Sequence, residues 1–242
     1  MRTILYLLML PLATIFFGGL TIVSRLLGIK RRPGNVYDWA QRYWARSLLA
    51  ASGVTASVEG AERITPGVPE VLAANHASFF DILALMAWMP VDPKFIAKIE
   101  LFRIPVFGQA MTAIGMVALD RHNLKEAFGA YQVAAKRITE EKLHVLVYPE
   151  GTRSRTGEML PFKKGPFVLA IAAGVPVVPI FVHGAFGIQP KGSVVVHPRP
   201  LRIIVGEPIA TAGLTYDDRD ALAQRVRAAM EALRPIPDAA SR

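Results

Sequence analysis

A histidine and an aspartate five positions apart, His76 and Asp81, are the pair best suited to acid–base chemistry in this sequence. They lie in the segment NHASFFD, where one apolar run ends and the next begins. A neutral imidazole held by a carboxylate is a good general base, because the acid fixes the tautomer and stabilises the imidazolium. In the structural alternative, Asp81 only caps a helix and His76 fills a turn. These residues alone leave both interpretations open.

The start of the following helix decides whether the two side chains can meet. Within one continuous helix they would lie about 140° apart around the axis, too far round to face each other. Ser78 followed by Asp81 is a capping-box pattern, however, which predicts that the helix starts at Ser78. His76 would then lie in the loop before the helix, and the Asp81 carboxylate could fold back towards it. A cap and a catalytic pair are therefore compatible.

A second candidate site is the basic loop YPEGTRS, which follows another apolar run. Gly151 lets backbone amides approach a ligand closely, Thr152 adds a hydroxyl, and Arg153 offers a planar fork of donors suited to phosphate. Further cations follow at Arg155, Lys163 and Lys164. Taken alone, the segment favours a solvated basic turn.

The stretch between these two motifs, residues 97–121, is mostly apolar, with Lys98 near one end and Arg121 at the other. Either cation alone could be an ordinary exposed surface residue. If the fold brings both to Arg153, the three form a basic pocket, and the apolar residues could line a channel for an acyl chain. A phosphate beside a hydrocarbon tail describes a lysophospholipid.

Several other chemistries lack the residues they need. The chain has no cysteine, which excludes disulfides and a cysteine nucleophile. It has neither the HExxH nor the CxxC spacing of a zinc site, so no metal is predicted. It also lacks the GxSxG motif of a serine hydrolase. Lysine and arginine are spread through an apolar chain without a recognition motif, so no nucleic-acid partner is predicted.

The composition indicates an anionic membrane as a partner. Hydrophobic residues make up 52% of the 242 residues and charged residues only 19%, and 28 Lys and Arg against 19 Asp and Glu give a net charge of +9. Charged residues are about a quarter of an ordinary soluble domain. A basic and apolar chain fits an anionic bilayer better than a nucleic acid.

The N-terminus contains a candidate membrane anchor. Residues 4–23 carry no charge over twenty positions, and about twenty apolar residues can cross a bilayer core. Four cations follow at Arg25, Lys30, Arg31 and Arg32, against Arg2 alone before the segment. If it spans, this asymmetry places the rest of the chain in the cytoplasm, at the inner membrane. Pro11 and the Gly18–Gly19 pair weaken a straight spanning helix, so a helix lying in one leaflet remains open.

A second N-terminal helix is predicted over residues 35–53, capped by Asn35 and ended by Gly53. Its Trp and Tyr residues alternate with Arg42 and Arg46, which suits the headgroup layer, although an ordinary packed amphipathic helix fits the pattern too. We therefore predict an anchor over residues 1–52 and a catalytic domain over 53–242.

The remaining chain alternates short apolar runs with helical patterns, which predicts an α/β fold with a central, mostly parallel sheet flanked by helices. The predicted strands are 54–59, 70–74, 144–148, 176–182, 194–196 and 201–205. The predicted helices are 79–89, 124–141, about 164–173 and 216–234. Thr215 and Asp218 form a capping box for the last helix, and Pro235 ends it.

Four motifs in order between residues 75 and 184 carry a family resemblance. The first is NHASFFD, an HX4D block ended by His76 and Asp81, and the third is YPEGTRS. The second is KIELFRIPVFG followed by LDR, with motif positions Lys98, Leu101, Pro105, Gly108 and Arg121. The fourth is GVPVVPIFVHG, with FKKG before it. Together they resemble the glycerolipid acyltransferase family, many of whose members have Phe in place of Tyr148, and within it the lysophosphatidic acid acyltransferases most closely.

The resemblance implies a fold like that of glycerol-3-phosphate acyltransferase and a role for each motif. His76 would act as general base, supported by Asp81, for acyl transfer from acyl-CoA or acyl carrier protein to the sn-2 hydroxyl of 1-acylglycerol 3-phosphate, giving phosphatidic acid. It implies no cofactor and no metal. The implied phosphate-binding residues are Glu150, Gly151, Thr152, Arg153, Lys98 and Arg121. The implied supporting residues are Asn75, Ser78, Leu101, Pro105, Gly108, Ser154, Phe162 and Lys163.

Other functions remain open at this point. The acceptor could be another lysolipid, such as a lyso-ornithine lipid, or glycerol 3-phosphate. A protein of a different class, a basic membrane-surface lipid-binding protein without chemistry, explains the charge and the apolar N-terminus. It gives no reason for the His–Asp pair or for the Glu-Gly-Thr-Arg loop.

Overall fold

A single β-sheet runs through the centre of the computed structural model, which describes residues 1–119 and 124–235. The strands are β1 (Ala56–Glu59), β2 (Glu70–Ala74), β3 (Lys94–Lys98), β4 (Val117–Leu119), β5 (His144–Val147), β6 (Val177–His183) and β7 (Leu201–Val205). Their order across the sheet is β1-β7-β6-β2-β5-β3-β4, and every neighbouring pair is parallel except β6 and β7. The predicted α/β class with a mostly parallel sheet is confirmed.

Helices cover both faces of the sheet. They are α1 (Arg2–Leu26), α2 (Val36–Ser52), α3 (Phe80–Trp88), α4 (Phe107–Ile114), α5 (Leu124–Glu140), α6 (Gly165–Ala173), α7 (Ala185–Ile188) and α8 (Arg219–Ala232). Short 3-10 turns lie at Ala61–Arg63, Ile99–Arg103 and Tyr216–Asp218. Residues 94–119, where no element was predicted, thus contain β3, α4 and β4.

The central strand β2 explains why the site forms where it does. All five of its residues are buried: Leu72 and Ala74 pack into the core beneath α2 and α3, while Val71 and Ala73 pack beneath α5, α6 and α8. A strand buried on both faces is typical of a parallel sheet, whose ligands bind beyond the carboxyl ends of the strands. The chain leaves β2 at Ala74 and enters the HX4D motif directly.

One predicted strand, at residues 194–196, is wrong. Those residues form no ladder with the sheet, and Val194 and Val195 are exposed. The backbone of Val196 instead bonds to Thr3 at the start of α1: its N–H donates to Thr3 Oγ1 at 3.0 Å, and the Thr3 hydroxyl lies 3.3 Å from its carbonyl. A hydroxyl on another element therefore replaces the strand partner that the Val-Val-Val pattern suggested.

The helix α1 is apolar and long enough to cross a membrane by length and composition. It packs against α2 and α4, and Trp44 on α2 donates its indole N–H to Thr14 on α1 at 3.1 Å. A Cβ at Gly18 would lie 3.1 Å from the Val106 side chain beside α4, a tight contact, so the glycine eases the close approach of the two helices. The division at residue 52 stays a prediction.

Candidate active site

The loop between β2 and α3 brings His76 and Asp81 together as the sequence predicts. His76 Nδ1 lies 2.9 Å from Asp81 Oδ2, and the same oxygen accepts the backbone N–H groups of Ala77 at 2.7 Å and Ser78 at 2.9 Å. The Asp81 side chain is fully buried, while that of His76 is 13% exposed. An oxygen that accepts two amides is a carboxylate acceptor, so Nδ1 must carry the proton it donates. The other ring nitrogen, Nε2, is then left as an acceptor.

The helix after the pair starts later than predicted, at Phe80 instead of Ser78. Only half of the capping box is present: Asp81 accepts the Ser78 N–H, but Ser78 Oγ accepts from Phe80 N at 3.2 Å. The Ser78 hydroxyl also donates to the Gln189 carbonyl at 2.8 Å, and its side chain is fully buried. Ser78 is therefore a structural residue of this loop, which leaves no free hydroxyl for an acyl-Ser78 intermediate.

The loop from Glu150 to Ser154 holds the backbone of His76 on both sides. Glu150 Oε1 accepts the His76 N–H at 2.7 Å, and the Ser154 N–H donates to the His76 carbonyl at 2.8 Å. The second Glu150 oxygen accepts the Leu160 N–H at 2.8 Å. Glu150 is buried and does not line the cavity described below, unlike Thr152 and Arg153, so its carboxylate holds the His76 backbone; its implied contact with a phosphate stays a prediction.

The same burial acts on the protonation of Glu150. Burial raises the pKa of its carboxyl group, while the two backbone N–H donors lower it. Each donor stabilises the charged form in a low-dielectric setting.

Tyr148, just before this loop, covers one face of the His76 ring. The two rings are stacked, with centroids 3.9 Å apart and planes 14° from parallel. The Tyr148 hydroxyl is buried without a hydrogen-bond partner among the described residues. Burial, together with the charge of Asp81, raises the pKa of Tyr148 well above its usual value, so the side chain stays a neutral phenol. The stacking role was not predicted, because it depends on β5 lying next to β2.

An apolar cavity of about 380 Å³ opens beside His76. Its walls come from α1, α2, α3, α4 and β3, including Phe17, Trp44, Phe79, Met86, Met111 and Ile114. Leu101 lines it as well, so the part of the apolar stretch between residues 97 and 116 forms a wall of this cavity. The helix predicted as an anchor therefore also forms part of the site.

Three cations line the same cavity: Lys98, Arg153 and Lys191. The structure thus brings together two of the three cations that the sequence predicts, while the third, Arg121, lies outside the described residues. Lys98 forms an ion pair with Glu100 at 2.9 Å, and Lys191 Nζ donates to Thr152 Oγ1 at 2.8 Å. Lys191 was missed, since no motif surrounds it and it reaches the site from the loop after α7.

Three other predicted residues, Asn75, Gly108 and Pro105, belong to the backbone structure around the site. Asn75 ties β2 to β6, since its Nδ2 donates to the Val182 carbonyl at 3.1 Å and its Oδ1 accepts the Val182 N–H at 2.6 Å. Gly108 lies so close to the Phe102 backbone that a Cβ would clash with it, and Pro105 is exposed in the turn before α4. These residues position the chain and do not line the cavity.

Two residues of the FKKG segment also lie outside the cavity. The Phe162 ring stacks on Phe167, with centroids 6.1 Å apart, and the Lys163 N–H donates to the Pro149 carbonyl at 2.7 Å. The Lys163 side chain packs beside Gly151, whose φ of +72° favours glycine. Within residues 1–119 and 124–235, no group of three or more His, Asp or Glu side chains could hold a metal.

Comparison with known proteins identifies the family of the chain. A family model described as Acyltransferase matches residues 55–183. Human 1-acyl-sn-glycerol-3-phosphate acyltransferase alpha is 36% identical over 178 residues, which are 74% of this chain and 63% of that protein. The 1-acyl-sn-glycerol-3-phosphate acyltransferase of Cocos nucifera is 33% identical over 180 residues, 74% of this chain and 57% of that protein. The chain therefore spans less than two thirds of these curated relatives.

A solved structure is similar over almost the whole chain. The crystal structure of the 1-acyl-sn-glycerophosphate (LPA) acyltransferase PlsC from Thermotoga maritima superposes with a TM-score of 0.71 and 26% sequence identity. The alignment covers 96% of both chains, so it includes α1 and α2 as well as the sheet.

Proposed function

The chain belongs to the acyltransferase family, and on that premise we propose that it transfers an acyl chain from acyl-CoA or acyl carrier protein to the sn-2 hydroxyl of 1-acylglycerol 3-phosphate, forming phosphatidic acid. The observation that carries the proposal is that the His76–Asp81 pair, the apolar cavity and the cations share one site. An acceptor with a phosphate, a hydroxyl and a hydrocarbon tail needs all three.

His76 acts as the general base in the proposed reaction. Because Nδ1–H donates to Asp81, Nε2 takes the proton of the acceptor hydroxyl, and the hydroxyl oxygen attacks the thioester carbonyl carbon. The carbon–sulfur bond then breaks, and the thiolate takes the proton from Nε2. Asp81 stabilises the imidazolium that exists between these two transfers. The step needs neither a metal nor a covalent acyl-enzyme.

The cations hold the acceptor phosphate in this proposal. Arg153 offers two parallel N–H donors that match a phosphate. Lys98, at the end of β3, and Lys191, in the loop after α7, each add one positive charge. Arg153 directly precedes Ser154, whose N–H holds the His76 carbonyl. One loop therefore both binds the phosphate and positions the base. This arrangement fixes the distance from phosphate to base, which favours a hydroxyl at a set distance from the phosphate.

The substrate reaches the cavity from a membrane in which α1 lies along one leaflet. The buried residues of α1 extend over its whole length, from Tyr6 to Ser24, so one face packs against the rest of the protein throughout. The opposite face exposes Leu, Ile and Phe side chains such as Leu8, Leu12 and Phe16. A helix covered by protein along one side fits an in-plane position better than a span.

Aromatic and basic residues beside α1 support this placement. Trp39, Tyr43 and Trp88 are partly exposed, and the Arg46 guanidinium lies 4.9 Å from the Trp88 ring centre and 5.5 Å from that of Tyr43. Such pairs are typical of the headgroup layer. We place the helix in the inner membrane with the site on the cytoplasmic side, where acyl-CoA and acyl carrier protein are soluble.

A substrate panel tests the proposed function. The purified full chain in neutral detergent is given 1-acylglycerol 3-phosphate, a lyso-ornithine lipid or glycerol 3-phosphate, each with acyl-CoA and with acyl carrier protein, and products are identified by mass. We expect phosphatidic acid from the first acceptor, formed far more slowly by the His76→Ala variant. A product formed only from another acceptor would overturn the substrate assignment. Lipid binding without any acylated product would indicate the non-catalytic alternative.

A further inference from the structure

A second cavity, of about 420 Å³, lies at the carboxyl end of α1, on the far side of α4 from the substrate site. Four cations line it: Arg25, Lys30, Arg31 and Arg137. Among the described residues, Met116 is the one side chain that lines both cavities. The second cavity contains none of the residues proposed for acyl transfer.

The charges around this cavity do not balance. Arg31 and Arg137 share one carboxylate, Glu141, at 3.5 Å and 2.8 Å, and hydrogen bonding to Arg137 lowers the pKa of Glu141, so it stays charged. Arg25 and Lys30 form no ion pair with any side chain that the structure describes, which leaves out those of residues 120–130, 132 and 236–242. Among the described side chains, four cations therefore line the cavity and one carboxylate pairs with two of them, which favours binding of an anion.

A nearby acid, Asp38, does not neutralise these cations. Its two carboxylate oxygens are occupied by Lys94 Nζ at 2.8 Å and the Gly34 N–H at 2.9 Å. The excess of positive charge in the cavity thus remains.

Hydrogen bonds hold the cation-bearing loop in place. The Tyr37 hydroxyl donates to the Ile29 carbonyl at 2.7 Å, and Asn35 Nδ2 donates to the Lys30 carbonyl at 2.9 Å. On the other wall, Arg137 donates to the Gly115 carbonyl at 3.3 Å. Because the backbone is fixed before any ligand binds, little of its freedom is lost on binding.

The border of the cavity is apolar and exposed. Leu26 is 81% exposed, Leu27 73% and Ile29 46%, and all three adjoin the cations in sequence. We propose that this cavity binds the phosphate headgroup of an anionic bilayer phospholipid, whose acyl chains lie along Leu26 and Leu27. The site would hold the carboxyl end of α1 at an anionic membrane, apart from the reaction. It depends on the in-plane position of α1 but not on acyl transfer.

Native mass spectrometry of the full chain from neutral detergent tests this site. The probes are phosphatidylglycerol, an anionic phosphodiester that is neither substrate nor product, and phosphatidylcholine, which has no net charge. The test variant is Arg25→Gln with Lys30→Gln, which removes the two unpaired cations. The matched control is Arg32→Gln with Arg225→Gln, which removes two exposed cations that do not line the cavity. Circular dichroism and thermal unfolding check that both variants fold.

We expect one phosphatidylglycerol per chain on the wild type and the control, and little phosphatidylcholine. The test variant should bind phosphatidylglycerol about 30-fold more weakly, since each cation near an anionic lipid contributes about 1 kcal/mol and about 1.4 kcal/mol is a factor of ten. Equal weakening of both variants would show general adsorption and overturn the site. An unchanged test variant would overturn it as well. Displacement of the lipid by an equal concentration of inorganic phosphate would overturn the lipid assignment.

Discussion

Two histidine–carboxylate pairs lie at opposite ends of strand β2, and only one of them is built as a base. At the carboxyl end, His76 Nδ1 and Asp81 Oδ2 are 2.9 Å apart. At the amino end, His144 Nε2 lies 3.6 Å from the Oε2 atom of Glu70, the first residue of the strand. The residue types are alike, so the difference between the pairs lies in their surroundings.

The carboxylates differ in how their charge is supported. The oxygen beside each imidazole differs: Asp81 Oδ2 also accepts two backbone N–H groups, whereas Glu70 Oε2 is buried without a hydrogen-bond partner among the described residues. Asp81 Oδ1 is likewise buried without a partner, and a backbone hydrogen bond from Thr65 lowers the pKa of Glu70, so the contrast lies in the oxygen that faces each ring. Burial raises the pKa of Glu70 to about 7 and lowers the pKa of His144, so each tends towards its neutral form. The ring nitrogens differ as well, because His144 Nε2 donates to the Thr65 carbonyl at 3.2 Å. A His–acid pair needs a supported carboxylate and a ring nitrogen facing a cavity to act as a base.

The largest expected difference between the two pairs is in the loss of kcat when each histidine is replaced by alanine. We predict that His76→Ala lowers kcat for phosphatidic acid formation about 10³-fold, because general-base catalysis contributes about 10²–10⁴-fold. His144→Ala should keep turnover within about twofold, as His144 does not line the cavity. Initial rates of the purified variants measure both. A comparable loss in His144→Ala would break the distinction between the two pairs.

The next largest difference in kcat is expected when the carboxylate of each pair is replaced by an amide. Asp81→Asn is expected to lower kcat about 10²-fold, because an amide cannot stabilise the imidazolium and can hold the wrong tautomer. The matched change Glu70→Gln should leave kcat unchanged. Both are read from the same assay. A fully active Asp81→Asn enzyme would remove the supporting role of that carboxylate.

The cations beside the His76 pair should affect acceptor binding. Lys191→Gln is expected to raise KM for 1-acylglycerol 3-phosphate about tenfold with little change in kcat, since one charge-assisted hydrogen bond contributes about 1.5 kcal/mol. The control is Arg155→Gln, an exposed cation two residues from Arg153 that does not line the cavity. Equal effects of the two changes would show general electrostatic attraction instead of a contact.

The smallest expected effect is on the stability of the protein, and it comes from Glu70 at the amino end of β2. The pKa of Glu70 is raised in the folded state, so its contribution is present at low pH and is lost as pH rises through about 7. We predict that Glu70→Gln is about 1 kcal/mol more stable than the wild type at pH 8 and no more stable at pH 5. Thermal unfolding in detergent at both values measures this difference. His144 is present in both proteins, so its own titration largely cancels. A gain at pH 5 alone would contradict the assignment.

The features that the sequence could reveal are local ones. His76 and Asp81 are close in sequence, so the loop geometry that joins them follows from a turn and a helix start. The buried strands β2, β5 and β6 were visible as apolar runs. The helix begins at Phe80, two residues after Ser78, and the Ser78 hydroxyl donates to the distant Gln189 carbonyl, a contact that no local pattern indicates. The role of Glu150 was likewise hidden, since its partners are backbone amides of other segments.

The features that stayed hidden depend on contacts between distant segments. Lys191 reaches Thr152 across 39 positions, and no local pattern indicates that contact. The run at 194–196 has the composition of a strand, but its backbone partner is Thr3, 193 positions away. The short strands β3 and β4 lie in or beside a mostly apolar stretch whose period does not separate strand from helix.

The protonated nitrogen of each histidine tests the central distinction most directly. Nitrogen-15 spectra of histidine-labelled protein, assigned with the His76→Ala and His144→Ala variants, report which ring nitrogen carries the proton in the neutral imidazole. The structure predicts a proton on Nδ1 of His76, leaving Nε2 free to act as the base, and a proton on Nε2 of His144. A proton on Nε2 of neutral His76 would contradict the account, because that nitrogen could not then accept one from the substrate.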